Sequence, residues 1–260
     1  MKLGKYEIDN VYNEDCYEAI KNIPDKSIDL IVTDPPYEIG KGGMTGIFKY
    51  RNNTGHKYYD EIMNKGLDKG IDLNILDEYV RVLKKINIYI WCNKDQIYDY
   101  MTYFVKERKC NFEIIVWAKT DPTPFTCGHY LKDKEYCLFF WESGAKLKGT
   151  FETMKTVYVS IKNKKDGKEY GHPTIKPIDI IKNLVENSSE SGGVILDSFA
   201  GSGTTLVAAK ELNRHYIGFE INPEYHKIAV DRLNGISQKD RKRKDMGILD
   251  MFDFGVEDID

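Results

Sequence analysis

The sequence lacks the features that would place it in several large protein classes. No apolar run approaches the roughly 18–20 residues of a membrane span. The first residues, from Met1 to Asp9, have no apolar core of the signal-peptide kind. No membrane association and a cytoplasmic location are therefore expected. Cysteine is scarce: Cys16, Cys92, Cys110, Cys127 and Cys137 are odd in number and form no CxxC pair. That argues against a disulfide framework. Cys127, His129 and Cys137 come nearest to a metal-ligand set, but no fourth ligand stands at suitable spacing, so no metal is expected. Eight prolines and 21 glycines in 260 residues are too few for a collagen-like or wholly disordered chain. An excess of positive charge is missing too. The net charge is −3 and the pI is near 6.0. Any contact with nucleic acid must therefore use a local basic surface.

What is present is an ordinary globular composition, 41% hydrophobic and 30% charged, long enough for one large domain or two small ones. Short runs rich in β-branched and aromatic residues read as buried strands: 28–32, 86–91, 112–117, 136–141, 194–196 and 216–219. Amphipathic helix patterns cover 73–85, 96–106, 178–186, 204–212 and 224–233. Alternating strands and helices predict an α/β fold with a mostly parallel sheet covered on both faces. Residues 112–117 and 136–141 have no clear helix between them, which predicts an antiparallel hairpin at one sheet edge.

Three segments break this pattern. Residues 38–60 are rich in Gly, Lys, Asn and aromatics, and so long an irregular loop in a compact domain is usually functional or mobile. Residues 143–171 hold Lys146, Lys148, Lys155, Lys162, Lys164, Lys165 and Lys168 against Glu152, Asp166 and Glu169. A solvated surface insertion is the plain alternative to a binding surface there. From Ile236 a basic run, Lys239 and Arg241 to Lys244, precedes an acidic end, and 236–260 reads as a charged tail on a domain spanning 1–235.

Residues 194–205, Val-Ile-Leu-Asp-Ser-Phe-Ala-Gly-Ser-Gly-Thr-Thr, read as strand, glycine turn and helix. The next strand ends in Glu220, whose carboxylate suits the two hydroxyls of a ribose. Neither GxGxxG nor GxxxxGK[ST] is present, and the turn carries no Lys or Arg. The ligand expected is a nucleoside without phosphates, as in S-adenosylmethionine. A short glycine turn alone also suits an ordinary strand-to-helix connection.

The second signal is Asp34-Pro35-Pro36-Tyr37 at the end of an apolar strand. Two prolines withdraw backbone donors and leave carbonyls as acceptors. Asp34 adds an acceptor and Tyr37 a flat face. The set suits the exocyclic amino group of a base, which must leave the duplex stack to reach it. A strand-ending turn is the alternative.

Taken together, Asp34 to Tyr37 followed by Asp197 to Thr204 resembles the amino-group DNA methyltransferases. The motif order, tetrad before glycine loop, resembles their beta class of N6-adenine and N4-cytosine enzymes. Asn13 to Cys16, ahead of Ile23 to Leu30, resembles the family's adenine-binding segment. His172 to Pro177 resembles the motif placed before the cofactor loop, with Ile175 departing from the polar residue usual there. The resemblance covers about residues 6–233. It implies a Rossmann-like S-adenosylmethionine-dependent methyltransferase fold with circularly permuted motif order. Asp34, Pro35, Pro36 and Tyr37 would be catalytic. Asp15, Cys16, Asp34, Thr174, Lys176, Asp197, Phe199, Gly201, Ser202, Gly203, Thr204, Thr205 and Glu220 would bind the cofactor, with Glu220 on the ribose, Asp15 on the adenine amino group and Lys176 on the carboxylate. Cys16 equally suits a small core position, and His172 a cap of the following turn.

The implied reaction is site-specific methylation of adenine N6 in double-stranded DNA. N4-cytosine methylation and an inactive DNA-binding or cofactor-binding subunit are the alternatives. Lys41, Lys49, Arg51 and Lys57 in the first loop would close over the base. Lys162, Lys164 and Lys165 would contact DNA from a recognition insertion, 143–171. The family often forms dimers, which suggests a homodimer, and a cognate restriction endonuclease is a further expected partner. Leu249-Asp250-Met251-Phe252 resembles peptides that dock on replication sliding clamps, although a helix end packing on its own domain explains it as well.

Overall fold

The computed structural model describes residues 2–37, 70–122, 130–145, 147–171 and 174–245, with the side chains of Lys164, Lys244 and Asp245 outside that description. A small antiparallel pair, β1 (Lys2–Leu3) and β2 (Tyr6–Glu7), precedes the main sheet. That sheet comprises β3 (Asn10–Tyr12), β4 (Leu30–Thr33), β5 (Asn87–Cys92), β6 (Asn111–Lys119), β7 (Lys134–Trp141), β8 (Val157–Ser160), β9 (Val194–Asp197) and β10 (His215–Phe219). Their spatial order is β3-β10-β9-β4-β5-β7-β6-β8.

β3, β10, β9, β4 and β5 are mutually parallel; β7 runs antiparallel to both β5 and β6. The predicted hairpin is therefore present as β6–β7. Outside it lies β8, a strand from the basic insertion, parallel to β6.

The helices are α1 (Cys16–Ala19), α2 (Ile75–Val82), α3 (Ile97–Met101, continued by a wider π turn over Thr102–Glu107), α4 (Lys164–Tyr170), α5 (Ile178–Ser188), α6 (Thr204–Glu211), α7 (Pro223–Leu233) and α8 (Gln238–Asp245). Strand side chains alternate between faces, so the sheet divides the core in two. Ile31, Ile88, Ile90, Leu138 and Phe140 pack with Leu76, Tyr79 and Val82 of α2 on one face. Leu30, Val32, Tyr89, Trp91 and Phe139 pack with Ile181, Leu184, Leu206 and Ala229 of α5, α6 and α7 on the other. Burial on both faces explains the unbroken apolar runs of β4 and β5. Local chemistry sets the helix starts: Asn222 caps α7, its side chain accepting from the N–H groups of Glu224 and Tyr225, and Pro223 fills the first turn.

The chain leaves β4 toward β5 on one side, and β9 toward β10 on the other. β4 and β9 are neighbours, so their carboxyl ends flank the crevice where open α/β sheets bind ligands. Among the described residues no helix is long and apolar enough to cross a membrane.

The segment 143–171 serves two ends of the sheet. Its first half lies at the amino end of the parallel strands: Glu142 N–H donates to Ile86 O and Lys148 N–H to Asn187 O, and Asn187 bonds Thr153 in both directions, 2.7 and 2.8 Å. β8 then runs up beside β6, and residues from Ile161 onward lie at the carboxyl end, where Lys162 N–H donates to Asp121 Oδ1 at 2.7 Å. The start of the segment read as a tail is also structured. Residues 238–245 form α8, held to the domain by Arg241, which pairs with Asp231 at 3.2 Å and donates to Tyr170 O.

Candidate active site

Asp34 follows the last residue of β4, so the strand itself carries the carboxylate to the crevice. Lys176 Nζ donates to Asp34 Oδ2. Tyr37 OH lies 3.0 Å from Asp34 Oδ1 and 3.3 Å from Glu135 Oε2. Glu135, on β7, lies 3.2 Å from Lys176 Nζ and accepts from Lys119 through its other oxygen. Two carboxylates and two ammonium groups thus neutralise one another in a largely buried cluster. Lys176 is 8% exposed, Lys119 13% and Glu135 18%. The ring centroids of Tyr37 and Trp91 lie 5.5 and 5.1 Å from Lys176 Nζ. Gln96 Nε2 donates to the Pro36 carbonyl at 3.2 Å and braces the two-proline segment.

Environment separates the two acids. Burial pushes the Asp34 carboxyl above its ordinary range and the Glu135 charge adds to that, while Lys176 acts against both. Glu135 is also desolvated, but the charges and hydrogen bonds of Lys176 and Lys119 win and hold it down at about 2. Lys176 is disfavoured by burial yet is held well above the ordinary lysine range by its two carboxylates.

One strand away, Asp197 ends β9. Thr33 Oγ1 donates to Asp197 Oδ1 at 3.1 Å and the Phe199 N–H reaches the same oxygen at 3.2 Å. Burial pushes Asp197 up to about 7, against hydrogen bonds from Thr205, Phe199 and Thr33. Thr33 Oγ1 also lies 3.3 Å from Ser198 Oγ, which meets Tyr79 OH at 2.5 Å. The strand carrying the tetrad is therefore pinned side chain to side chain to the strand carrying the glycine turn.

The turn needs its glycines. Gly203 has φ +77°, and a Cβ there would stand 3.0 Å from Ala229 Cβ. Glu220, just past β10, accepts from Gly201 N–H and Asn222 N–H, both at 2.8 Å, one through each oxygen. Each carboxylate oxygen can take a further donor, which suits a pair of ribose hydroxyls. Asn13 Nδ2 donates to the Glu220 and Ile221 carbonyls at 2.7 and 3.0 Å and brings the Asp15 segment beside them. Ile221 is 64% exposed, and Phe199 is half-buried against Tyr17, centroids 6.2 Å apart. Carboxylate, apolar surface and close backbone approach fit a nucleoside.

Several expected site residues have other partners. Cys16 is buried in the core and burial pushes its thiol well up, so it stands as a small core residue. Asp15 Oδ1 caps α1 by accepting from Tyr17 N–H at 2.9 Å, which leaves Oδ2 for another donor. Ser202 and Thr204 turn their hydroxyls to Arg232, whose Nη1 donates to both at 2.9 Å and to Ser202 O at 2.8 Å. Thr205 is buried and Thr174 exposed. Lys176 meets Asp34 and Glu135 instead of standing apart for a carboxylate.

Glu135 and Arg232 are additions. Nothing in the sequence marked Glu135, because its partners lie 16, 41 and 98 residues away in the chain. A lone Arg late in an amphipathic helix likewise carried no signal. Lys162 and Lys165 lie at the carboxyl end of the sheet, and Lys164 begins α4 there. Lys41, Lys49, Arg51, Lys57, Cys127, His129, His172 and the segment 249–252 lie outside the described residues. Among the described residues no group of three or more His, Cys, Asp or Glu could hold a metal ion.

Comparison with known proteins agrees with this geometry. Residues 28–231 match the N6/N4 methyltransferase family described as DNA methylase. The type II methyltransferase M2.LlaDCHI of Lactococcus lactis subsp. cremoris is 31% identical over 88% of this chain and 91% of its own length. The type II methyltransferase M2.MboI of Moraxella bovis is 29% identical over 90% and 93%. Among solved structures, the M1.HpyAVI–SAM complex has a TM-score of 0.61 at 23% identity, covering 86% of this chain and 98% of that one. The PvuII DNA methyltransferase (cytosine-N4-specific) has 0.65 at 20% identity, covering 94% and 95%.

Proposed function

Because the chain belongs to the N6/N4 DNA methylase family, we propose that it methylates the exocyclic N6 of an adenine swung out of duplex DNA. Membership makes it an S-adenosylmethionine-dependent DNA methyltransferase. The choice of adenine is supported by Asp rather than Ser at position 34, the residue more usual among the family's adenine enzymes. The observation that carries the reading is the Asp34 carboxylate at the β4–β9 switch point, braced by Lys176 and Tyr37 and linked through Thr33–Asp197 to the glycine turn. The type II names of the relatives support a place in a restriction–modification system.

Phe199, Gly201, Gly203 and Glu220 would hold the cofactor, with Asp15 Oδ2 toward its adenine. When bound, S-adenosylmethionine supplies an electrophilic methyl group on a sulfonium sulfur. The protein's own task is to prepare the nucleophile. The adenine amino nitrogen is weakly nucleophilic because its lone pair is delocalised into the ring. Asp34 and the Pro35 carbonyl would accept its two N–H bonds and favour a pyramidal nitrogen with a localised lone pair. Asp34 already accepts from Lys176 and Tyr37, but a carboxylate has about four acceptor positions. Once alkylated, the nitrogen sheds a proton, and Asp34 is its acceptor. Most of the acceleration would come from positioning and preorganised electrostatics.

The test is mass spectrometry of nucleosides from unmethylated plasmid incubated with protein and S-adenosylmethionine, with Asp34→Ala in parallel. N6-methyladenine from the wild type alone supports the reading. N4-methylcytosine would keep the fold and mechanism and overturn the base. Full transfer by Asp34→Ala would overturn the site.

A further inference from the structure

The basic run after Ile236 is part of the folded surface. α8 packs against α4 of the insertion: Arg241 joins Tyr170 O to Asp231, and Gly171, at φ +78°, comes so close to Gln238 that a Cβ would stand 2.6 Å from Nε2. This junction lies beside the cofactor turn and the tetrad. The Arg232 guanidinium sits 4.7 Å from the Tyr170 ring centroid while bonding Ser202 and Thr204. Asn163, at the start of α4, reaches the Lys176 carbonyl at 3.4 Å.

Exposed cations from both helices, Lys165 and Lys168 on α4 and Lys239, Lys242 and Arg243 on α8, therefore share the end of the molecule that carries the site. They do so in a chain whose net charge is −3. By contrast Lys148 and Lys155 stand on the half of the insertion that precedes β8, on either side of the Thr153–Asn187 anchor, paired with Glu190 and Glu152.

We propose that α8 and α4 together form a phosphate-contacting surface that holds the DNA backbone beside the pocket, with α8 as a fixed part of the DNA interface. The proposal rests on the reading of the chain as a DNA methyltransferase. It adds a second contacting element and removes the acid-paired lysines ahead of β8 from the interface. Charge complementarity selects the occupant: a cationic ridge beside a base-accepting crevice matches a polyanionic backbone. Arg241 is the tether, and its neighbours on α8 carry the contacts.

The test needs no recognition sequence, because phosphate contacts act on any duplex. Binding of the full chain to a fluorescent random-sequence duplex is measured by anisotropy across a salt series. Lys165→Gln/Lys239→Gln/Lys242→Gln is compared with Lys148→Gln/Lys155→Gln. Each lost contact should flatten the slope of log affinity against log salt by about 0.9. The first variant should lose about two to three of slope and bind at least roughly tenfold more weakly at low salt. The second should match the wild type. Titration with S-adenosylmethionine should give equal affinities for all three and establishes that the variants are folded. An unchanged slope for the first variant, or an equal loss in the second, overturns the proposal. A wild type that binds no duplex at any salt overturns the reading of function and this proposal with it.

Discussion

Glu135 Oε2 stands 3.2 Å from Lys176 Nζ, and the same ammonium group donates to Asp34. One buried lysine therefore serves two carboxylates, one just past β4 and one on β7, strands that β5 separates. Lys119 supplies the second positive charge to Glu135 alone, so Lys176 is left to balance Asp34. Burial favours protonation of Asp34 and the Lys176 charge opposes it; the ionised form is what the proposed reaction needs.

Opposite shifts of one pH profile follow. Lys176→Met removes the charge that lowers the Asp34 pKa, so the acid limb of kcat/KM should move to higher pH. Glu135→Gln removes a charge that raises it, so the limb should move lower. Each shift should be about one pH unit or more. Limbs that stay in place in both variants would separate the cluster from the chemistry.

Glu135→Leu should behave differently from Glu135→Gln. It leaves Lys119 buried with its carboxylate gone, at a cost on the order of 3–5 kcal/mol. Gln retains an acceptor and should cost much less. Urea unfolding at neutral pH measures both. Because Glu135 titrates below its unfolded value, its contribution is present above about pH 4.3 and fades as pH falls toward 2.

Asp197 has the opposite linkage. Its folded-state value, about 7, lies above the unfolded value, so the native chain holds more protons between roughly pH 4 and 7. Its contribution to stability therefore falls as pH rises through that window. Asp197→Asn should flatten the fall, gaining on the order of 2–4 kcal/mol at pH 8 relative to pH 4. Parallel denaturation curves for the two proteins across pH 4–8 would remove Asp197 as the cause.

Glu220→Ala should weaken S-adenosylmethionine binding about 10- to 100-fold by calorimetry. It removes the proposed ribose acceptor and strips the partner from the Gly201 and Asn222 N–H groups. Unchanged affinity would place the cofactor elsewhere.

Gly203→Ala should lower stability by about 1–3 kcal/mol, seen as a drop in Tm. It forces a side chain into φ +77° against Ala229. A neutral result would mean that the turn adjusts freely.

The sequence by itself determined the parallel core, the hairpin and the two loops that meet at the crevice. Those features are local: β4 and β9 are continuous apolar runs, and each functional loop starts within two residues of its strand's end. Adjacency of the two loops follows once both strands lie in one parallel sheet. The tertiary structure decided the rest. Glu135 joins Asp34 only because β7 runs antiparallel and places its first residues at the carboxyl end of β5. The lysine-rich insertion divides between two ends of the sheet because β8 carries the chain upward beside β6. The basic run near the C-terminus is held against the domain because Arg241 finds Asp231 and the Tyr170 carbonyl. Such pairings join residues tens of positions apart, and charge composition along the chain carries no record of which cation will meet which anion.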